Sequence, residues 1–390
     1  MTSTWTSNSA ATATATATLD AVRSLVPGIV ARADEIERER RLPPDLVDDL
    51  VAAGCFRSLV PRSHGGSDLG LPAHLRLLGE LATADGSVGW TVMIGSQAPV
   101  VLGLLPRASF DAVYAAGPDV IAAGAFNPTG VATPVEGGFR VRGRWSFASG
   151  CQHARWFFGH CLVDDGREPP LRMAVLPAAE VEIVDTWRVS GLCGTGSHDV
   201  AVEDAFVPDD RTLSIVDPRH CVDGPLWRIP ELTAGTLMIA AVALGIARGA
   251  VGEIAALATG KVPAFGATTL AANPLFQNQF GEIEARLRAA TAALHTEADA
   301  AWAKAVADSP LSPEDRARVR ATATWITRTA AAIVDVAYGA GGGTALYDTS
   351  PLQRRLRDVH AVTQHFALKP DTFTLAGAVL TGQDADLTFL

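Results

Sequence analysis

The run GRWSFASGCQHARW at 143–156 places a serine just behind aromatic rings in a chain that is only 6% aromatic. Upstream, Phe139, Val141, Gly143, Trp145 and Phe147 alternate with Arg140, Arg142, Arg144, Ser146 and Ala148. That is the period of two of a strand with one buried and one wet face. Continued, the alternation predicts Ser149 on the buried side, where a hydroxyl needs a partner. The partner is either backbone at the strand end or part of a ligand. His360 and His365, near the end of the chain, suit proton transfer near neutral pH. On a helix they stand about 140° apart and face different ways. Asp358 and His365 share a face, as do Arg357 and His360. Cys151, His153, His160 and Cys161 are close in sequence, but an extended segment scatters them, and no spacing here makes a metal site. Ser197 lacks the GxSxG surround of a nucleophile.

The elements that must position these groups belong to a chain of 390 residues, 48% hydrophobic and 19% charged, with material for two or three domains. A formal charge of −10 argues against nucleic-acid or anionic-membrane partners. The five cysteines form no CxxC pair, which suits a reducing cytoplasm. Residues 1–18, rich in Ala and Thr, read as a flexible tail without signal-peptide features. The apolar stretch 232–247 is too short to span a bilayer comfortably and reads as a buried helix.

Helical periodicity runs through 19–118. Short runs punctuated by Gly, Pro and Asp then indicate an antiparallel β-domain over 119–222. From 223 to 390 long helical patterns return and predict a four-helix bundle. SPED at 312–315 is a strong helix start, with Ser at the cap and Pro just inside. The fold class is therefore α+β, mostly α.

This order, with DGSVGW at 85–90, the 143–156 run, VSGLCGTGSHDVAVEDAFVP at 189–208, NPLFQNQFGEIEARLRAA at 273–290 and GGGTALYDTSPLQRRLRDVHAVTQH at 341–365, resembles the acyl-CoA dehydrogenase fold. More closely, it resembles the group D two-component flavin-dependent monooxygenases. The resemblance implies that the segment around Trp145, Phe147, Ala148 and Ser149 runs beside a flavin ring, with Trp145 and Phe147 walling a slot. It implies Trp90 in the same pocket, Phe126 and Asn127 on the other side of the ring, and Gly341, Gly342 and Gly343 admitting a neighbouring subunit's flavin phosphates. His365 is the implied pocket histidine, with His360 the alternative. Reduced FMN or FAD would come from a separate reductase to a homotetramer, forming a C4a-hydroperoxide with O2.

An acyl-CoA dehydrogenase instead needs a carboxylate base. Registering on Arg354, Arg357 and Asp358 puts Thr349 where the family's glutamate belongs, with Asp348 beside it, and the other family location falls near Gly235. No glutamate occupies either, which favours oxygenation of a small, aromatic or heteroaromatic substrate. A dehydrogenase using Asp348, and a non-catalytic ligand-binding member of the fold, are the alternatives. The histidine that some aromatic hydroxylases carry about two dozen residues before the serine is absent from VIAAGAFNP.

Overall fold

The computed structural model describes residues 9–163, 171–214 and 218–387. Seven helices come first: α1 (Ser9–Ala31), α2 (Ala33–Glu39), α3 (Pro44–Ala52), α4 (Leu71–Ala84), α5 (Gly86–Ser96), α6 (Ala98–Leu102) and α7 (Arg107–Val113). This corrects the expected tail. Residues 1–8 lie outside the described residues, but from Ser9 the chain is helix. Alanine is the strongest helix former, and the Thr16 and Thr18 hydroxyls donate one turn back to the carbonyls of Thr12 and Thr14.

Seven strands follow: β1 (Ala122–Val135), β2 (Gly138–Trp145), β3 (Trp156–Val163), β4 (Leu171–Pro177), β5 (Glu182–Val184), β6 (Asp199–Pro208) and β7 (Thr212–Leu213). They form one sheet in the order β5-β6-β2-β1-β3-β4-β7. Every neighbouring pair is antiparallel except β1 and β3, which run parallel. The reason lies in residues 146–155. They cross over the end of β1 rather than closing a hairpin, so β3 enters in the direction of β1. The segment read as a candidate site is this crossover.

One face of the sheet contributes Ala122, Phe158, Met173 and Val175 to the large core shared with the helices. The other face curls around a second core that contains Val141, Trp145, Phe157, Cys161 and Val200. Trp145 is its pin: fully buried, it donates from Nε1 to the His160 carbonyl at 2.7 Å. Three neighbouring strands give it room with glycine. A Cβ on Gly130 would stand 2.3 Å from the indole, on Gly143 3.0 Å and on Gly159 2.7 Å.

Four helices then bundle: α8 (Glu231–Gly260), α9 (Pro274–Val306), α10 (Pro313–Gly341) and α11 (Pro351–Thr363), with α12 (Asp371–Leu380) packed on α10. Helix α10 starts on a capping box between Ser312 and Asp315, as the SPED signal predicts. Helix α8 exceeds the apolar stretch read from the sequence. Over 18 residues its mean hydropathy of 1.7 matches that of a bilayer-spanning helix. It is nevertheless the central helix, with 89% of that window buried against α4, α5, α9, α10 and α11.

Candidate active site

Helix α5 begins where Asp85 Oδ1 accepts from the backbone N–H groups of Ser87 and Val88, at 2.9 and 3.1 Å, an N-cap that a short polar side chain supplies. Gly86 follows because a Cβ there would press on Asp358 Oδ2 and Ile246. Arg355 ties the end of α4 to α8 and α11. Its guanidinium donates to the carbonyls of Ala82, Thr83 and Ala84 and to Glu253. Burial pushes the Asp85 and Asp358 carboxyls up, and Asp358 Oδ1 accepts from Leu192 N–H at 2.6 Å. This frame places Trp90 beside the crossover.

The crossover is held in turn. Strand β2 ends at Trp145, and Phe147 takes a left-handed φ of 68°. Ala148 N–H donates to His198 O and Gly150 N–H to Thr195 O. Gly150 has φ 71°, which favours glycine, and a Cβ there would stand 3.3 Å from Thr91 Cγ2. Ser149 is thereby buried with three hydroxyls in series. Its Oγ lies 3.1 Å from Trp90 Nε1 and 2.7 Å from Ser197 Oγ, which is 2.7 Å from Thr195 Oγ1. Thr195 Oγ1 donates to the Leu192 carbonyl at 2.8 Å.

The direction of this chain follows from the donor inventory. A carbonyl only accepts, so Thr195 donates to it, Ser197 to Thr195, and Ser149 to Ser197, while the indole N–H donates to Ser149. Ser149 has committed its only proton and keeps one lone pair.

His365 packs its ring against Trp90, centroids 5.7 Å apart. Its Nδ1 accepts from Ala367 N–H at 3.3 Å, and burial pulls the imidazole down to about 4. The ring is neutral, with its proton on Nε2. The expected face-sharing with Asp358 does not arise: α11 ends at Thr363, and His365 lies outside it in extended backbone, capping a 3₁₀ turn at Phe366–Leu368.

Strand β1 opens opposite His160. Ala125 pairs with Gly159 and Gly130 with Cys161, so Phe126 to Thr129 loop out against a single residue. The neutral His160, its pKa lowered by burial, donates from Nδ1 to the Phe126 carbonyl at 2.8 Å. Phe126 is half-buried, and Asn127 is exposed at the tip.

Several expected site residues are placed elsewhere. Trp145 and Ala148 are fully buried in the second core, so neither side chain can wall a ligand slot. Phe147, expected on the buried side, is 63% exposed, because the alternation ends with β2. Its ring meets Trp187 edge-on. His360 is exposed and bonded through Nε2 to Asp335 on α10 at 2.8 Å, which removes it from the cluster. Gly341 is a packing glycine, where a Cβ would stand 2.8 Å from Ala345 and 2.9 Å from Leu352. Gly342 and Gly343 are exposed, and Gly343 has open space beside it. Lys261 Nζ donates to the Gly341 carbonyl and to Thr344 Oγ1. This turn packs beside Leu257, near the C-terminal end of α8, and not with Ser149.

Sequence reading gave no role to Thr91, His160 or Lys261, and it placed the turn at 195–197 near the flavin only by resemblance. The TGS turn was visible as a turn, but nothing local announces that its hydroxyls meet Ser149, 48 residues away. Thr91 Oγ1 is buried beside Gly150 without a hydrogen-bond partner among the described residues, and that is visible only in three dimensions.

Helices, then one mostly antiparallel sheet, then a helical bundle make a fold of the acyl-CoA dehydrogenase type. Family models agree: the acyl-CoA dehydrogenase N-terminal domain matches residues 12–104 and the C-terminal domain 237–370. The chain is 35% identical over 366 residues to indole-3-acetate monooxygenase of Pseudomonas putida, covering 94% of this chain and 92% of that protein. It is 32% identical over 362 residues to the flavin-dependent monooxygenase oxygenase subunit HsaA of Mycobacterium tuberculosis, covering 90% and 92%. The crystal structure of that HsaA monooxygenase superposes with a TM-score of 0.90 at 31% identity, covering 96% of this chain and all of that one. The chain belongs to the flavin-dependent monooxygenases with the acyl-CoA dehydrogenase fold. It is an oxidoreductase that uses reduced flavin and O2.

Proposed function

We propose that the cluster of Trp90, Ser149 and His365 is the flavin- and substrate-facing site, and that the substrate is a small aromatic or heteroaromatic ring such as an indole. The observation that carries this reading is the directional hydroxyl chain. It leaves Ser149 able to accept but not to donate, so it favours a ring presenting N–H. A reduced flavin carries at least one more such group than an oxidised one. The orphaned Thr91 Oγ1 and the exposed Phe147 and Asn127 supply polar and apolar capacity of the kind a flavin ring requires. Bound reduced flavin supplies the centre that reacts with O2 and passes one oxygen atom to the substrate. Trp90 fixes Ser149 by donating to it, and the bundle and crossover exclude water. Because burial disfavours the imidazolium, His365 acts through Nε2–H as a neutral hydrogen-bond donor.

Gly342 and Gly343 would receive a partner subunit's cofactor in a homotetramer. The neighbouring Leu346 and Tyr347, each 69% exposed, support an interface there. A separate flavin reductase and a cytoplasmic setting complete the reading. Asp348, the base required by a dehydrogenase, lies on an exposed turn.

The test is to load the protein anaerobically with reduced flavin, mix it with O2 and indole, and follow flavin absorbance and indole mass. The expected result is reoxidation slower than for free flavin and a product one oxygen atom heavier. Reoxidation indistinguishable from free flavin, with indole unchanged, would overturn the reading.

A further inference from the structure

The start of α8 carries a carboxyl that the site described so far does not use. Helices α8 and α11 run antiparallel. Arg355 reaches Glu253 at 3.0 Å and crowds Gly249, while Asp358 and Ile246 meet over Gly86. Beyond Asp358 the chain continues to His365, and the 3₁₀ turn Phe366–Leu368 packs on α8. Around α8, Ile239 and Gly235 lie within about 20° of Ile246, and Glu231 within about 60°. The α8 face that meets α5 and α11 at mid-helix therefore reaches the helix start with Gly235 and Glu231. There the burial pattern breaks: Thr233, Ala234, Thr236 and Leu237 are buried, but Glu231, Leu232 and Gly235 are partly open. A Cβ on Gly235 would meet nothing within 4 Å. Because α11 runs antiparallel to α8, the chain beyond Asp358 travels toward this open start of α8, and the turn that follows His365 packs on the same helix.

We propose that Glu231 is a substrate-selecting residue of this site, accepting a hydrogen bond from an N–H, O–H or ammonium group of the aromatic substrate and disfavouring aromatic carboxylates. The inference rests on the reading above. Glu231 has no hydrogen bond or ion pair among the described residues, and burial alone pushes its carboxyl up to about 7. Most charged and titratable groups on the surrounding elements are committed or neutral; the exception, Arg76 on α4, lines a separate cavity with Ala241 and Leu244. On α4, His74 lies between Ser58 and Ser96, and Arg76 and Glu80 follow further along. Arg228, in the turn before α8, is held by Asp223, Asp308 and the Ala305 carbonyl. Lys304 at the end of α9 is bound to Asp315, α5 adds only its cap Asp85, and His365 is neutral. An ionised carboxylate only accepts, so a donor on the substrate is favoured. A second carboxylate in the same dry space is repelled.

The experiment compares indole with indole-3-acetate as ligands, by calorimetry at pH about 6 and about 8, on either side of neutrality. It uses the wild type and Glu231→Gln, with and without bound reduced flavin. In the wild type, indole-3-acetate should weaken by up to about tenfold on going to the higher pH while indole does not. Glu231→Gln, whose amide oxygen still accepts, should abolish that pH dependence, tighten indole-3-acetate at the higher pH, and weaken indole there about five- to tenfold, the difference between a charged and a neutral acceptor. A wild-type ratio of affinities that does not change with pH, or a variant that shifts both ligands equally, overturns the proposal. Failure of reduced flavin to bind sinks the flavin reading instead, and the ligand ratio measured without flavin still decides the role of Glu231.

Discussion

Replacing Ser149 with alanine removes the one group that joins the Trp90 indole to the hydroxyls of Ser197 and Thr195. Two effects separate. In the free protein the indole N–H loses its acceptor; an unsatisfied buried donor costs about 1–3 kcal/mol, less if water fills the vacated space. In the complex with reduced flavin, the bond accepted by the Ser149 lone pair is lost, a net of about 0.5–1.5 kcal/mol, or roughly two- to twelvefold in affinity. Oxidised flavin, lacking the extra N–H, should lose little. The assay is a pair of titrations, anaerobic for reduced flavin and aerobic for oxidised flavin, on the wild type, Ser149→Ala and Ser149→Thr. The ratio of the two affinities should collapse in the alanine variant and persist with threonine, which keeps the hydroxyl. An equal loss for both redox forms would refute the directional hydroxyl chain. So would an unchanged ratio.

Acid should destabilise the fold through His74 and His365. Burial holds them at about 3 and about 4, so the unfolded chain takes up their protons near its ordinary value of about 6.5 while the folded chain does not. Stability should therefore fall as pH drops below about 6.5, by about 1.4 kcal/mol per pH unit for each histidine, levelling off below the folded values; denaturant melts over this range check it. Gly130→Ala would push a methyl to 2.3 Å from the Trp145 ring and 2.7 Å from Cys161 Sγ. It should cost about 1–3 kcal/mol or more by overpacking, read as a lower melting temperature. Arg355→Met should cost about 3–5 kcal/mol in urea unfolding, because Glu253 and three carbonyls lose their common donor.

Much of the architecture is local in origin and so was legible in the chain. The order of helices, strands and helices follows from periodicity. The start of α10 follows from Ser312, which caps within three residues of itself, whereas the break between α4 and α5 at Asp85 went unread although its cap is equally local. The buried Ser149 was also foreseen, but for a reason that fails at Phe147: the alternation stops with β2, and main-chain bonds from Ala148 to His198 and from Gly150 to Thr195 bury the serine instead. Those bonds join residues some fifty positions apart, and no local pattern encodes them.

The same limit explains the histidines. Spacing could count degrees around a helix but could not show that α11 ends before His365, or that Asp335 on another helix captures His360. It left Trp145 in the slot because only the folded sheet brings Gly130, Gly143 and Gly159 around its ring. The sequence by itself determined the elements, their order and the family resemblance, since short-range propensity and patterning act within a few residues. The tertiary structure decided which groups share the site, because hydrogen-bond direction, burial and shifted proton affinity arise only where distant segments meet.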